Sequence, residues 1–166
     1  MQITLCTIGF TGKSAEEFFR LLEQAGVKKV IDIRENRIGQ LSGFAKYPDI
    51  EFFLNRMAGI CYAHRPELAP APEIRKAYRA TKDWPAYEAA FLRLMKERGI
   101  LAALDAAQFE QTAALLCSEP RPENCHRRLL ADLFAEHWRA QGHAVEIRHL
   151  VLDRPVNKSR KRNKTS

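Results

Sequence analysis

Short apolar runs alternate along the chain with segments in which apolar residues recur every three or four positions. The apolar runs lie at 3–8, 29–33, 60–63, 113–117 and 144–151, and they have the length and composition of strands. The segments between them have the spacing of amphipathic helices. Because strand, helix and strand in this order form a parallel crossover, the pattern predicts an α/β fold with a mainly parallel sheet of about five strands.

Capping residues mark the boundaries of the predicted helices. Ser14, with Glu17 three positions later, has the signature of a capping box, and Gly26 ends the helix that follows. Asn124 is the predicted N-cap of a long helix that ends at Gly142. The other predicted helices run from Asp49 to Gly59, over 73–80 and from Asp83 to Gly99, with more helix over 100–109.

All of these elements fall within residues 1–152, where no linker-like segment occurs. We therefore expect a single three-layer domain with helices on both faces of the sheet. The net charge of +7 comes mainly from residues 153–166, which hold six Lys and Arg side chains against Asp153. No apolar residue follows Val156, so this basic tail is expected to be disordered. We interpret it as a solubilising tail, with contact to nucleic-acid phosphates as the alternative.

The chain shows neither a signal-peptide pattern nor an apolar run of about 18 residues, so we expect a cytoplasmic protein with no membrane partner. Its four cysteines include no Cys-x-x-Cys pair, and a reducing compartment disfavours a disulfide framework. Cys6 and Cys61 lie in apolar strand-like runs and are interpreted as small buried residues.

Residues able to do chemistry follow the ends of the predicted strands. Gly9 and Thr11 follow the first strand, Arg34 follows the second, and Cys117 and Glu119 lie at the end of the fourth. Ligands of open parallel sheets bind beyond the carboxyl ends of the strands, so these residues are expected at one edge. We predict that Gly9, Thr11, Arg34 and Cys117 bind the ligand.

The segment after the fourth strand carries the most specific chemistry. Cys125, His126 and Arg127 are expected in the first turn of a helix, where the helix dipole favours anions and lowers the pKa of a thiol. Arg127 is suited to hold a carboxylate or phosphate. Cys125 and His126 are candidate catalytic residues. Glu119 is a candidate general acid or base, with an arginine or histidine of the site as its partner.

Each of these assignments has a structural alternative. Cys125 could pack into the core, and His126 could bond to a local carbonyl. Arg127 and Glu119 could form an ion pair that only fixes the loop. The two tryptophans are interpreted as helix packing and not as platforms for nucleobases.

Several motifs resemble those of the domain of unknown function 488 family of small bacterial and archaeal proteins. They are Thr7-Ile8-Gly9, Asp32-Ile33-Arg34, Gly59-Ile60-Cys61-Tyr62 and, most specifically, Cys117-Ser118-Glu119 with Cys125-His126-Arg127. The resemblance spans roughly residues 3–150. It implies that Arg34, Cys117, Glu119, Cys125, His126 and Arg127 occupy the family's motif positions. Phe10 departs from the His or Tyr that the family often has there. The resemblance implies a fold and a site, and no particular reaction.

Three functions fit this pattern. The favoured one is an enzyme that acts on an anionic, phosphate- or nucleotide-like ligand at the carboxyl edge of the sheet, with Arg34 and Arg127 holding the anion. The alternative is a nucleic-acid-associated module that uses the same edge and the basic tail. A further alternative is a thiol or metal site, in which Cys117 and Cys125 close as a disulfide or bind zinc with His126 and Glu119. No metal is expected, because the ligand spacing differs from that of structural zinc sites, and the sequence identifies no cofactor.

Overall fold

A computed structural model of the chain describes residues 1–39 and 42–153. The strands are β1 (Gln2–Gly9), β2 (Lys29–Asp32), β3 (Cys61–His64), β4 (Ala113–Cys117) and β5 (Ala144–Leu150). The α-helices are α1 (Ala15–Gln24), α2 (Asp49–Phe52), α3 (Pro72–Thr81), α4 (Trp84–Glu97), α5 (Ile100–Ala103) and α6 (His126–Ala140). The chain continues from α2 as a π-helical turn over Phe53–Met57, and 3₁₀ turns lie at Gly43–Ala45, Pro66–Leu68 and Ala106–Phe109. Residues 154–166 of the basic tail lie outside the described residues, so the expected disorder there stays a prediction.

The five strands form one parallel sheet with the order β3-β2-β4-β1-β5. This confirms the α/β class and the mainly parallel sheet. In the register of the sheet Gly9 lies beside Cys117, and Asp32 lies beside Leu116. The strands β1, β2 and β4 therefore end at the same edge, with β4 between the other two.

Apolar side chains of helices cover both faces of the central strand β4. Leu115 belongs to a buried cluster that includes Phe91 of α4 and Phe134 of α6. The next residue, Leu116, belongs to a second cluster that includes Phe18 of α1. Because successive side chains of a strand point to opposite faces, this alternation places α1 opposite α4 and α6. The longest described helix, α6, has 15 residues. None of the helices in the described ranges is both long and apolar enough to cross a membrane.

The start of α6 differs from its prediction. Asn124 is not the N-cap, because α6 begins at His126 and the extended backbone of Cys125 (φ −136°, ψ 138°) occupies the cap position. The reason is a tight turn before the helix, in which the Cys125 N–H donates to the Pro122 carbonyl at 3.2 Å. The Cys125 N–H is therefore occupied and does not face a ligand. At α1, by contrast, the capping box is confirmed.

The two cysteines outside the α6 region have different environments. Cys6 lies in the interior strand β1 and is fully buried, as predicted. Cys61 is exposed, so its interpretation as a small buried residue is wrong. Cys61 is the first residue of β3, which is an edge strand of the sheet and has a neighbour on one side only.

Candidate functional site

Two cysteine thiols meet at the carboxyl end of β4. Cys117 is the last residue of β4, and Cys125 caps α6, so the intervening loop returns the chain to the end of the strand. Their Sγ atoms are 3.1 Å apart, and both thiols are free. The two residues are only 0% and 2% exposed. At this distance one thiol hydrogen-bonds to the other sulfur, so the two cysteines titrate as a pair.

The guanidinium of Arg127 lies fully buried beside this pair. Its Nη1 donates to Cys117 Sγ at 3.0 Å and to the Glu119 carbonyl, and its Nε donates to Thr7 Oγ1 at 3.3 Å. In the described part of the chain, no Asp or Glu forms an ion pair with Arg127. A buried cation without a counter-ion is strongly unfavourable. Of the groups that accept hydrogen bonds from Arg127, only the two thiols can ionise, so the Cys117 thiolate is the group able to balance its charge.

The pKa values of the two thiols move in opposite directions. Burial raises the pKa of Cys117, but the hydrogen bond from Cys125 and the charge of Arg127 outweigh it, so this pKa falls from 9.0 to about 7. The bond to Cys117 and burial raise the pKa of Cys125 well above 9.0. The prediction that the helix start lowers the pKa of Cys125 is therefore wrong, and Cys117 is the acidic thiol. Above about pH 7 the pair holds one negative charge and one proton.

The imidazole of His126 is uncharged at neutral pH. Burial and the nearby charge of Arg127 lower its pKa from 6.5 to about 4. Its ring packs edge-on against Phe91, with ring centroids 5.8 Å apart. The buried Nε2 atom has no hydrogen-bond partner among the described residues. His126 therefore carries no positive charge that would lower the pKa of a thiol. Among the predicted residues, only Arg127 lowers a thiol pKa through its positive charge.

The loop after β4 rests closely on the end of β1. The Thr11 N–H donates to the Ser118 carbonyl at 3.2 Å. A Cβ atom on Gly9 would lie 1.6 Å from the Glu119 carbonyl oxygen and 2.8 Å from Arg127 Nη1, so this position requires glycine. Gly9 and Thr11 thus support the loop from the β1 side and lie outside the cleft described below.

Glu119 contributes its main chain and its side chain to different features. Its carbonyl accepts a hydrogen bond from Arg127. Its side chain is exposed and lines the cleft. Within the described ranges its carboxylate forms no ion pair. The expected pairing of this carboxylate with an arginine or histidine of the site is wrong, because the loop turns the carbonyl toward Arg127 and leaves the carboxylate in solvent.

Arg34 is engaged by a carboxylate of its own strand end. Its Nη2 and Nε donate to the two Asp32 oxygens at 2.7 and 2.8 Å, and its Nη1 donates to the Ala45 carbonyl at 2.9 Å. The Tyr62 hydroxyl donates to Asp32 Oδ2 at 2.7 Å. The Arg34 guanidinium also lies over the Phe10 ring, 5.2 Å from its centroid. Arg34 thus borders the cleft with its charge already neutralised.

A cleft of about 460 Å³ lies between this edge of the sheet and helix α3. Four of the predicted residues line its sheet side, namely Arg34, Glu119, Cys125 and His126. Cys117 and Arg127 do not line it and lie behind Cys125. The structure thus brings six predicted residues together in two layers. Four face the cleft and two form the buried support of its thiol.

One face of α3 forms the opposite wall of the cleft. It presents Arg75, Tyr78 and Arg79, which are spaced as positions i, i+3 and i+4, and Lys82, the left-handed C-cap residue of α3 (φ 57°), extends this wall. Arg75 pairs with Glu35. Within 1–39 and 42–153, neither Arg79 nor Lys82 has an acidic partner, although the Lys82 ammonium lies over the Tyr78 ring at 5.7 Å. The wall therefore carries uncompensated positive charge.

Aromatic rings of α3 and of the start of α4 complete the cleft. Trp84 stacks on Tyr87 with centroids 4.9 Å apart, and Tyr78 meets Trp84 edge-on at 5.7 Å. All three rings line the cleft. Trp84 also packs against the core, as predicted, so it belongs to both environments.

Sequence reasoning missed the α3 wall and the contacts of Thr7. The four-residue spacing on α3 was a readable signal, but a polar helix face is more often only solvated. Thr7 accepts from Arg127 and lies 2.8 Å from His149 Nδ1, and no sequence signal pointed to this contact across the sheet. In the described part of the chain no three His, Cys, Asp or Glu side chains are grouped to hold a metal ion.

Comparison with known proteins identifies the family of the chain. Residues 14–134 match the model of the family described as Domain of unknown function DUF488. The matched range runs from the N-cap of α1 into α6 and includes Cys117, Cys125 and Arg127, while β1 and β5 lie outside it. No curated protein and no solved structure gives a significant match. Because the family model matches more than half of its length, the chain belongs to the DUF488 family.

Proposed function

We propose that the protein is an enzyme that binds an anionic, phosphate- or nucleotide-like ligand in the cleft and attacks it with the Cys125 thiol. The observation that carries this proposal is the buried Arg127, which has a thiol pair in place of a carboxylate partner. A charged thiol pair directly behind a cationic cleft is an arrangement suited to covalent catalysis.

The exposed cations of α3 are the groups that hold the ligand. Arg34 and Arg127, the predicted anion-binding residues, are engaged within the protein by a carboxylate and by a thiolate. Arg79 and Lys82 are exposed and line the cleft. They are therefore better placed to bind a phosphate or carboxylate. The nearby rings of Trp84 and Tyr78 would suit a ligand that also contains a planar group.

The attacking group is Cys125, because it lines the cleft and Cys117 does not. The Cys125 proton passes to the Cys117 thiolate 3.1 Å away, which leaves the charge on the Cys125 sulfur. This sulfur forms a bond to the electrophilic carbon or phosphorus of the ligand while the bond to the leaving group breaks. The leaving group then takes the proton from Cys117. Arg127 stabilises the thiolate that remains.

Glu119 completes the reaction from the solvent side of the cleft. Its carboxylate takes a proton from a water molecule that attacks the covalent intermediate and releases Cys125 as a thiolate. Glu119 then returns this proton to the thiol pair, so the net reaction is hydrolysis of the ligand. His126 is neutral and lines the cleft, but its unpartnered Nε2 is buried, so it is assigned no contact with the ligand.

A thermal-shift titration with phosphate and nucleotides tests ligand binding. At about 100 times its dissociation constant a ligand adds roughly 2.7 kcal/mol to the free energy of unfolding. We expect Arg79→Ala and Lys82→Ala to lose this stabilisation. The matched control is Lys76→Ala, because Lys76 is an exposed residue of the same helix that does not line the cleft. Equal stabilisation of all variants would contradict the proposed binding wall.

A nucleic-acid-associated module is the second candidate, because α3 presents three cations on one face. Such a module would bind oligonucleotides with an affinity that falls steeply as salt concentration rises. A salt-sensitive stabilisation by short oligonucleotides, with none from phosphate or mononucleotides, would favour this candidate over the enzyme.

A further inference from the structure

Cys117 lies closer to Cys125 than its role as a proton acceptor requires, at a distance that suits formation of a disulfide. Cys117 Sγ lies 3.1 Å from Cys125 Sγ, whereas the two sulfurs of a disulfide are about 2.05 Å apart. The two atoms therefore need to approach by only about 1 Å to bond. The two cysteines belong to different elements, the end of β4 and the cap of α6, which the loop of residues 118–124 joins.

Both cysteines are buried, but they differ in their position relative to the cleft. Cys125 lines the cleft, while Cys117 is fully buried behind it and contacts Arg127. In thiol–disulfide exchange one accessible sulfur attacks, and a second sulfur behind it displaces the product. The pair has the same order, with Cys125 at the cleft and Cys117 behind it.

We infer that Cys117 and Cys125 form a redox-active dithiol that reduces low-molecular-weight disulfides bearing carboxylate or phosphate groups. The inference rests on the proposed function only in that Cys125 is the attacking thiol and the α3 wall attracts the anion. The disulfide class follows from the second thiol, and the anionic class follows from the exposed Arg79 and Lys82.

The reaction balances without a further reactant. Cys125 transfers its proton to Cys117, and its thiolate attacks one sulfur of the substrate. The substrate S–S bond breaks, one thiolate leaves, and it takes the proton from Cys117. The Cys117 thiolate then attacks the Cys125 sulfur and expels the second substrate thiolate. The substrate disulfide gains two electrons, and the protein gains a Cys117–Cys125 disulfide.

The test treats the reduced full-length protein with oxidised glutathione and maps the cysteine-containing peptides by mass spectrometry. We expect a Cys117–Cys125 disulfide in the wild-type protein and the loss of two of its reactive thiols. A Cys117→Ser variant is expected to accumulate a mixed disulfide on Cys125, because no second thiol displaces it. The Arg79→Ala/Lys82→Ala double variant is expected to react about tenfold more slowly, whereas Lys76→Ala reacts at the wild-type rate.

The outcomes separate this inference from the proposed function. If Cys125 reacts with alkylating agents while oxidised glutathione forms no Cys117–Cys125 disulfide, the exchange activity is refuted and the proposed function stands. If the disulfide forms but phosphate and nucleotides bind nowhere in the cleft, the proposed function fails and the exchange activity stands. Mapping of the wild-type protein needs no variant, so misfolding of Cys117→Ser cannot hide the result.

Discussion

Replacement of Arg127 by methionine tests the charge relationship at the centre of the site. Methionine fills a similar volume without the guanidinium, so Cys117 loses the cation 3.0 Å from its sulfur. Arg127 and the hydrogen bond from Cys125 together overcome burial and lower the pKa of Cys117 from 9.0 to about 7. At about 1.4 kcal/mol per pKa unit, this lowering corresponds to about 3 kcal/mol of stabilisation of the thiolate. In Arg127→Met we expect the pKa of Cys117 to rise toward that of an ordinary thiol, because the hydrogen bond from Cys125 then opposes burial without the charge of Arg127.

The first assay is titration of the thiolate by its ultraviolet absorbance. At pH 7 roughly half of Cys117 is ionised in the wild-type protein, against about 1% if its pKa is 9. A Cys61→Ser background removes the exposed thiol from the signal. The control is Arg128→Met, because Arg128 is the next residue on α6 and pairs with Glu88 and Asp132 on the surface.

The second assay is the pH dependence of the free energy of unfolding. A pKa that is lower in the folded state gives stability that is present above the unfolded-state pKa and is lost as the pH falls through the folded-state pKa. For Cys117 the free energy of unfolding should therefore rise by up to about 3 kcal/mol between about pH 7 and pH 9. His126, with a folded-state pKa of about 4, completes its own contribution below this window. Above it, the raised pKa of Cys125 acts in the opposite direction.

Arg127→Met should clearly reduce this rise, because only the hydrogen bond from Cys125 then lowers the Cys117 pKa against burial, and Arg128→Met should keep it. The thiol must ionise within about two pH units, from pH 7 to pH 9. A wild-type protein with no thiolate absorbance below pH 8, and with a free energy of unfolding that stays flat over this interval, would refute the charge relationship. It is equally refuted if Arg127→Met has the same titration curve as the wild-type protein.

Two further predictions concern the support of the site. Gly9→Ala should lower the free energy of unfolding by about 3 kcal/mol in urea denaturation, because the added Cβ would overlap the Glu119 carbonyl. Gly43→Ala, which adds a Cβ in open space, should change it by less than about 0.5 kcal/mol, and equal effects of the two substitutions would contradict the account. Asp32→Asn should destabilise the protein by about 3–5 kcal/mol in the same assay, because it leaves the buried Arg34 without a counter-ion. A loss below about 1 kcal/mol, as for a surface pair, would contradict that role.

The sequence predicts the location of the site well because strand ends converge at one edge of a parallel sheet. Cys117 at the end of β4 and Cys125 at the start of α6 had to lie near each other once these elements were recognised. The direction of Arg127 was beyond sequence reasoning, because at a helix start a difference of one residue decides whether a side chain faces the cleft or the sheet. The N-cap of α6 is Cys125 and not the predicted Asn124, and this difference of one residue changes the direction of each following side chain.

Other features were readable but have ambiguous patterns. Asp32 and Arg34 are two positions apart at the end of β2, so they lie on the same side of the strand and can pair. The positions of Arg75 and Arg79 on α3 follow the helical period and Lys82 caps the helix, but the pattern cannot show what a polar face opposes. Only the packed structure places these cations across a cleft from Cys125.

Alkylation of Cys125 by a negatively charged and by a neutral reagent tests the central claim most directly. Iodoacetate and iodoacetamide differ mainly in charge, and peptide mapping reports the rate at each cysteine. The exposed Cys61 serves as the reference for an ordinary thiol, because it lies outside the cleft.

We expect the iodoacetate-to-iodoacetamide rate ratio to be higher at Cys125 than at Cys61. Each cation of the α3 wall contributes roughly 0.7 kcal/mol at a water-like dielectric constant, so the Arg79→Ala/Lys82→Ala variant should lower the ratio about tenfold. Equal ratios at Cys125 and Cys61, or a Cys125 that reacts no faster than the buried Cys6, would contradict the claim that a reactive thiol faces a cationic cleft.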